Sequence, residues 1–66
     1  MATIAKVTIE AEVIVDTDGA WLLNDGDTDG WVSKSQGKCL DSDEPEVGRV
    51  HEFELPEWMA VERGFV

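Results

Sequence analysis

An alternation of apolar and polar side chains near the start of the chain is the strongest constraint on its fold. From Ala5 to Val15 every second residue is apolar, and Lys6, Thr8, Glu10 and Glu12 fill the first four positions between. Because successive side chains of a strand point to opposite faces, this period of two predicts a long strand with one buried face. A single strand cannot bury that face alone, so further strands or a helix must cover it.

Three later segments also predict strands. Ala20–Leu23 and Trp31–Ser33 flank a polar connection that contains glycine, which is typical of a hairpin, and Asp16–Gly19 has the composition of a turn. The alternation returns in Val50–Leu55. Residues 34–48 hold no comparable pattern, so the sequence does not determine their path.

The C-terminal segment predicts a short helix. Pro56 suits the first helical position, Gly64 suits a left-handed cap, and Phe65 suits an apolar clamp after that cap. Trp58, Val61 and Phe65 recur at helical spacing and predict the face that docks on the sheet. A helix this short cannot persist alone, so it must pack against the strands.

Together these elements predict one α+β domain over residues 1–66, built from a small twisted antiparallel sheet of three to five strands and one short C-terminal helix. A chain this small buries only about 60% of the surface that its unfolded form exposes. Trp21, Trp31 and Trp58 are therefore expected mainly in the core, and one of them can lie at an edge where it also contacts a partner.

The charge of the chain excludes several classes of partner. Fifteen acidic and five basic side chains give a formal net charge of −10 in 66 residues. Such a chain repels nucleic acid and anionic membranes and is attracted to basic protein surfaces. It holds no apolar run long enough to span a bilayer, and Met1–Val7 lacks the basic start and apolar run of a signal peptide. With Cys39 as its only cysteine, the chain is expected in a reducing cytoplasm.

The acidic side chains are spaced in a way that suits binding to a basic surface. Glu10 and Glu12, like Glu52 and Glu54, are two residues apart on the polar face of a predicted strand, which is about 6.6 Å at strand geometry. That distance is comparable to the spacing of successive phosphates along one nucleic-acid strand. Solubility alone needs a net charge of only about 2–8, so part of this charge is in excess. The candidate partner-binding residues are Glu10, Glu12, Asp25, Asp27, Asp29, Trp31, Asp41, Asp43, Glu44 and Glu46.

Two patterns bear on metal binding. Asp25–Gly30 fits the first half of a calcium loop, D-x-[DN]-x-[DN]-G, but Gln36 stands where the bidentate glutamate belongs. A polar hairpin loop is the alternative interpretation. Cys39 and His51 fall short of a zinc set unless carboxylates or a second chain complete it. No metal or other cofactor is therefore predicted.

The residues give little support to catalysis. Cys39 and His51 can form a nucleophile–base pair in principle, but no orienting third group stands at a recognisable spacing. His51 alternates with Phe53 and Leu55, which favours a structural histidine on a sheet face. No Gly-rich phosphate loop is present, and paired carboxylates are uninformative in so acidic a chain. The protein is predicted not to be an enzyme.

Two short blocks resemble small, mostly uncharacterised proteins of bacteriophages and prophages. Trp31–Gln36 reads W-V-S-K-S-Q and Pro56–Gly64 reads P-E-W-M-A-V-E-R-G, close to the W-[VI]-P-K-S-Q and P-E-W-[LM]-A-x-E-x-G blocks of those proteins. Ser33 replaces the proline of that pattern, and the acidic stretch Asp41–Glu46 is additional. The resemblance implies a phage or mobile-element origin and a cytoplasmic setting in the host cell, with no catalytic residues to carry over. In size and acidity the chain is also similar to phage anti-defence proteins of the anti-CRISPR type.

These observations predict a non-enzymatic, phage-type inhibitor. It would bind a basic nucleic-acid-binding surface of a host defence complex, such as a CRISPR effector, by nucleic-acid mimicry. The first alternative is a small structural or housekeeping phage module that is acidic only for solubility and able to form a homodimer. The second alternative is a calcium-binding module built on Asp25–Gly30. The expected partner is a basic host protein or nucleoprotein complex, with no direct binding to free nucleic acid or to membranes.

Overall fold

Within residues 5–66, which the computed structural model describes, the chain forms five strands and one helix. The elements are β1 (Lys6–Asp16), β2 (Ala20–Asn24), β3 (Asp29–Ser33), β4 (Lys38–Cys39), β5 (Val50–Pro56) and α1 (Glu57–Arg63). The strands form one antiparallel sheet in the order β3-β2-β1-β5-β4. The predicted α+β class, antiparallel sheet and C-terminal helix are confirmed. β4 lies in the stretch whose path the sequence does not determine.

β1 is the central strand because it pairs on both sides. Its first half pairs with β5 and its second half pairs with β2. As the alternation predicts, Ile9, Ala11 and Val13 are buried, and Glu10 between them is exposed. The register shifts between Val13 and Val15, which marks a bulge near the end of the strand. The alternation thus assigns one face of the sheet to the core as far as Val13. Its prediction is wrong for Ala5 and Val15, which are exposed, because the strand begins after Ala5 and the bulge turns Val15 to the opposite face.

The sheet curls so that its two edge strands approach each other. β3 and β4 lie at opposite edges, yet only four residues separate Ser33 from Lys38. Five residue steps span at most about 18 Å, whereas a flat sheet would place these edges about 19 Å apart. The connection is also folded into a turn, since the Gly37 N–H donates to the Ser33 carbonyl at 2.8 Å. The sheet therefore curves around its apolar side, which is the concave face, and the opposite side is the convex face.

The concave face encloses the core. Phe53 is fully buried there, and its ring centroid lies 5.2 Å from that of Trp21. α1 covers the end near the start of β1, where the Glu57 N–H donates to the Ala5 carbonyl at 2.9 Å. Pro45 is buried beside Trp21, toward the other end of β1. The buried apolar residues are Ile9, Ala11, Val13, Trp21, Leu23, Val32, Phe53, Leu55, Met59, Ala60 and Phe65.

α1 docks through a different face from the one that the sequence predicts. Met59 and Ala60 are buried, whereas Trp58 and Val61 are 50% and 59% exposed. The prediction for Trp58 and Val61 is therefore wrong, while Phe65 is buried as expected. The helix has only 7 residues, and apolar side chains stand at four successive positions, so spacing alone does not select one face. The direction in which the chain leaves β5 selects it instead.

The ends of α1 follow the expected chemistry with one correction. Pro56 is not the first helical residue; it ends β5 with extended backbone, at φ −59° and ψ 141°, and precedes the helix. Gly64 adopts the predicted left-handed conformation at φ 84°. The Phe65 N–H donates to the Ala60 carbonyl at 2.8 Å and the Gly64 N–H donates to the Val61 carbonyl at 3.1 Å. This is the Schellman arrangement, which confirms the cap and the clamp.

All three tryptophans lie in the described part of the chain, and one of them is in the core. Trp21 is 7% exposed, whereas Trp31 is 46% and Trp58 is 50% exposed. The expectation of a mainly buried set is wrong for Trp31 and Trp58. Since Val32 is fully buried on β3, its neighbour Trp31 must point to the convex face.

Gly37 is expected to be intolerant of a side chain. A Cβ atom there would lie 2.5 Å from the Cγ1 atom of Val32, which is fully buried. Gly37→Ala should therefore lower the free energy of unfolding by about 1–3 kcal/mol, as overpacking of a core does. Gly19→Ala is the control, because nothing lies within 4 Å of its Cβ position and its φ is not positive. Urea unfolding compares the stability of the two variants. An equal loss of stability in both would contradict the close approach of Gly37 to the Val32 side chain.

Among residues 5–66, no helix combines the length and the apolar character that crossing a bilayer requires. Met1–Ile4, the first part of the N-terminal segment that lacks signal-peptide features, lie outside the described residues.

Candidate functional site

The convex face presents glutamates from β1 and β5. Residues that pair across two strands share a face, and the register places Glu10 directly opposite Glu52 and Glu12 directly opposite Val50. Glu10 and Glu52 are exposed, and Glu12 is half-buried. Glu52 is not among the candidates from the sequence. Its spacing shows that it points away from the core, but only the β1–β5 register shows that it lies opposite Glu10.

Glu10, Glu12 and Glu52 form no ion pair with the described basic side chains. Among residues 5–66, no lysine, arginine or histidine nitrogen lies within 4.0 Å of the carboxylates of Glu10, Glu12 or Glu52. Glu54, in contrast, has two lysines at 3.8 and 3.9 Å, one on each neighbouring strand. Like charges directly opposite each other on adjacent strands destabilise a sheet by roughly 0.2–1 kcal/mol. The pair of Glu10 and Glu52 therefore opposes folding.

A shallow depression of about 260 Å³ lies beside Glu10 and Glu12. The β2–β3 loop contributes Asn24 and Asp25 to its lining, and Val50 contributes apolar surface. The candidate carboxylates of Glu10, Glu12 and Asp25, which come from two parts of the sequence, thus line the same depression. A lysine or arginine side chain suits it, since its aliphatic stem can lie on an apolar surface while its charged head meets carboxylates.

Asp25 and Asp29 also hold the β2–β3 loop in shape. Asp25 Oδ1 accepts the backbone N–H groups of Asp27 at 3.0 Å and Thr28 at 2.9 Å. The Asp29 carboxylate accepts a hydrogen bond from the Asn24 side-chain amide. The N–H groups of Asp27 and Thr28 hold the pKa of Asp25 below its usual value, because they favour the ionised carboxylate. Asp27 itself is exposed at the tip of the loop.

The calcium-like motif forms a hairpin loop. Asp25, Asp27 and Asp29 do not gather their carboxylates around one point, since Cys39–Asp41–His51 is the one described group of three that is close enough to hold a cation. Gln36 lies in the turn after β3, where its N–H donates to the Ser33 carbonyl at 3.1 Å. The motif thus corresponds to the hairpin interpretation.

The stability that Asp25 contributes is expected to depend on pH. Its pKa is lower in the folded chain than in the unfolded chain, where the pKa of an aspartate is about 3.9. The contribution is therefore fully present above that value and is lost as the pH falls through the folded pKa. The difference in free energy of unfolding between the wild type and Asp25→Ala should be constant near neutral pH and shrink below about pH 4. Urea unfolding at a series of pH values measures it, and a difference that persists unchanged in acid would contradict the assignment.

The other acidic candidates lie between β4 and β5. Asp43, Glu44 and Glu46 line a second depression of about 480 Å³, together with Trp21 and the buried Pro45. Glu46 also forms an exposed ion pair with a neighbouring arginine at 3.3 Å, which contributes little to stability. The structure therefore divides the candidates into a group on the convex face with its adjoining loop and a group in this acidic segment, residues 41–46.

Asp41 is the centre of a hydrogen-bond network. Its Oδ1 atom lies 2.9 Å from His51 Nδ1 and accepts the Cys39 thiol at 3.2 Å, while its Oδ2 atom accepts the Glu52 N–H at 3.3 Å. Because His51 Nε2 accepts the Glu46 N–H at 3.2 Å, the proton of the neutral ring is on Nδ1 and is donated to Asp41. Asp41 thus fastens the acidic segment to β5.

This network does not prepare a thiol nucleophile. Asp41 stands between Cys39 and His51, so the imidazole is not positioned to take the thiol proton. Burial, followed by the hydrogen bond to Asp41, raises the pKa of the Cys39 thiol, whereas an activated cysteine needs a lowered one. Hydrogen bonds from Cys39 and His51 lower the pKa of Asp41.

Trp31 belongs to an apolar row on the convex face. It lies opposite Leu22, which in turn lies opposite Val15 on β1. Trp31 and Val15 are exposed and Leu22 is half-buried. The convex face therefore presents an apolar row as well as the group of carboxylates around Glu10.

No family model, no curated protein and no solved structure matches this chain.

Proposed function

We propose that this chain is a non-enzymatic binding protein whose convex face docks on a basic, nucleic-acid-binding surface of another protein. The observation that carries this proposal is the opposition of Glu10 and Glu52 on adjacent strands without a basic neighbour among the described residues. The repulsion between them weakens the free protein. A cationic partner that lies over both glutamates neutralises their charges and removes this repulsion. The relief of the repulsion then adds to the free energy of binding.

The arrangement of the glutamates suits a surface that binds phosphates. Glu10 and Glu12 are about 6.6 Å apart along β1, and the Cβ atoms of an opposed pair such as Glu10 and Glu52 are about 4.5–5.5 Å apart. A groove lined with lysine and arginine would meet a comparable array of negative charge. The net charge of −10 also accelerates the approach to such a groove.

The apolar row supplies an anchor for a protein partner. Tryptophan is enriched among residues that dominate binding energy, and Trp31 is exposed beside Leu22 and Val15. A homodimer through this face is disfavoured, because it would bring the unpaired glutamates of two chains together. Acidity that serves only solubility does not require Glu10 and Glu52 to lie directly opposite each other, where their repulsion weakens the fold. Their opposition therefore favours a binding role.

The resemblance of Trp31–Gln36 and Pro56–Gly64 to phage proteins supplies the setting of the proposal. The partner class is a basic host protein or nucleoprotein complex of a defence system, such as a CRISPR effector, in the host cytoplasm. The acidic segment and the loop residues Asp27 and Asp29 would extend the negative surface around the docking face.

Affinity capture with three forms of the chain tests this function. The face variant replaces the unpaired glutamates of the convex face, and the remote variant removes the same number of charges from exposed positions elsewhere. The face variant is E10Q/E12Q/E52Q, and the remote variant is D18N/E57Q/E62Q. From lysate of a bacterial host, the wild type and the remote variant should capture the same nucleic-acid-binding protein, identified by mass spectrometry.

The face variant should capture at least about tenfold less of that protein, and capture by the wild type should fall as salt is raised. Equal capture by all three forms would contradict the proposal. A captured partner without a basic nucleic-acid-binding surface would contradict it as well.

A further inference from the structure

Three metal-binding side chains converge where β4, the acidic segment and β5 meet. Cys39 ends β4, Asp41 follows two residues later, and His51 is the second residue of β5. The β4–β5 register places Cys39 opposite Phe53, so His51 lies on the same face two residues away. One ligand atom from each of the three side chains lies within 4.8 Å of the other two.

We propose that the Cys39 Sγ, Asp41 Oδ1 and His51 Nδ1 atoms bind one zinc ion, with water as the fourth ligand. Thiolate, imidazole and carboxylate are the ligands that zinc takes in proteins, whereas calcium and magnesium take oxygen ligands. No fourth Asp, Glu, His or Cys of the described residues joins the group. Three protein ligands with one open position form a known zinc arrangement.

The distances in the network are close to those of a tetrahedral site. Ligand atoms at about 2.0–2.3 Å from zinc lie about 3.3–3.7 Å from one another at tetrahedral angles. Asp41 Oδ1 is 2.9 Å from His51 Nδ1 and 3.2 Å from Cys39 Sγ. These two pairs reach the tetrahedral separation after movements of a few tenths of an ångström, and the third pair, Cys39 and His51, is within 4.8 Å. Zinc would replace the two bridging protons. The thiol proton passes to solvent, and the imidazole exchanges its Nδ1 proton for one on Nε2 through solvent, so one proton is released for each zinc bound.

Zinc binding would break one hydrogen bond of the acidic segment. When the metal occupies His51 Nδ1, the neutral ring carries its proton on Nε2. Nε2 then no longer accepts the Glu46 N–H, which it accepts at 3.2 Å in the metal-free network. Zinc that merely associates with the acidic surface leaves this hydrogen bond in place, so the Glu46 amide distinguishes ligation from surface attraction.

The bound ion would connect β4, the acidic segment and β5. Cys39 is the only cysteine, so an internal disulfide cannot stabilise this chain, and folds of this size commonly use a metal for that purpose. Because the assembled site is absent from the unfolded chain, zinc binding stabilises the folded state in proportion to the logarithm of the zinc concentration. The inference is independent of the partner that the convex face binds.

Titration of the metal-free, reduced, full-length chain with zinc tests the site. We expect one zinc per chain, a rise in melting temperature with zinc and a change in the NMR resonance of the Glu46 amide. Cobalt(II) in place of zinc should give a thiolate-to-metal charge-transfer band and the intense visible absorption of tetrahedral coordination. A cobalt spectrum without the thiolate band would overturn the proposal, and this measurement needs no variant.

Variants assign the ligands. Cys39→Ser and His51→Gln should each weaken zinc binding by at least about tenfold, since loss of even an outer contact of a metal site costs that much. Asp43→Asn is the matched control, because it removes a carboxylate from the same acidic segment but not from the cluster. Unchanged affinity in Cys39→Ser, or an equal loss in Asp43→Asn, would overturn the site.

Discussion

Phe53→Ala is expected to remove much or all of the stability of the fold. Phe53 is fully buried on β5, and its ring packs against Trp21 with centroids 5.2 Å apart. Truncation of a buried phenylalanine costs about 3–5 kcal/mol. A chain of 66 residues has a total stability of about 3–10 kcal/mol, so this loss consumes much or all of it. Loss of the cooperative transition in thermal unfolding, followed by circular dichroism, measures the effect.

Val61→Ala is the control for that experiment. Val61 is exposed on α1, and the alanine is a better helix former, so the free energy of unfolding should change by no more than about 0.5 kcal/mol. A large loss in Val61→Ala, or a small one in Phe53→Ala, would contradict the packing of α1 and β5 described above.

The face variant is expected to be more stable than the wild type and to bind the partner more weakly. The face variant, E10Q/E12Q/E52Q, removes the repulsion between Glu10 and Glu52, so its free energy of unfolding should rise by about 0.2–1 kcal/mol. Its binding to the captured partner should weaken by at least about 2 kcal/mol, a factor of roughly 30, because the partner's cations lose their counter-charges. Urea unfolding measures the first change, and titration calorimetry with the partner measures the second.

The remote variant separates this result from a general effect of charge. It removes the same number of negative charges, so its binding should fall much less than that of the face variant. If the face variant proved less stable than the wild type, the glutamates would serve the fold and not a partner. High salt should also narrow the difference in stability between the wild type and the face variant, since it screens the repulsion.

The fold could be predicted from the sequence where a pattern is local. The structure contains the predicted strand β1, the hairpin of β2 and β3, and the cap at Gly64. Each of these depends on residues that are neighbours in the sequence. The docking face of α1 could not be predicted in this way. Trp58 and Ala60 are both apolar, and the choice between them depends on how the chain leaves β5 and meets the curled sheet.

The candidate site depends even more on pairing between distant segments. The sequence shows that Glu10 and Glu52 are acidic and point away from the core, but their opposition follows from the register of β1 and β5. Cys39, Asp41 and His51 meet only because the two-residue strand β4 pairs with β5. That strand is too short to leave a periodic signal, so the cluster could not be predicted.

Displacement of nucleic acid from the captured partner tests the central claim most directly. A fluorescent single-stranded nucleic acid is first bound to the partner, and the three forms of the chain are then added at increasing salt. We expect the wild type and the remote variant to release the nucleic acid, the face variant not to release it, and the release to weaken as salt rises. Equal release by the face variant, or a stable complex in which the partner holds nucleic acid and this chain together, would contradict it.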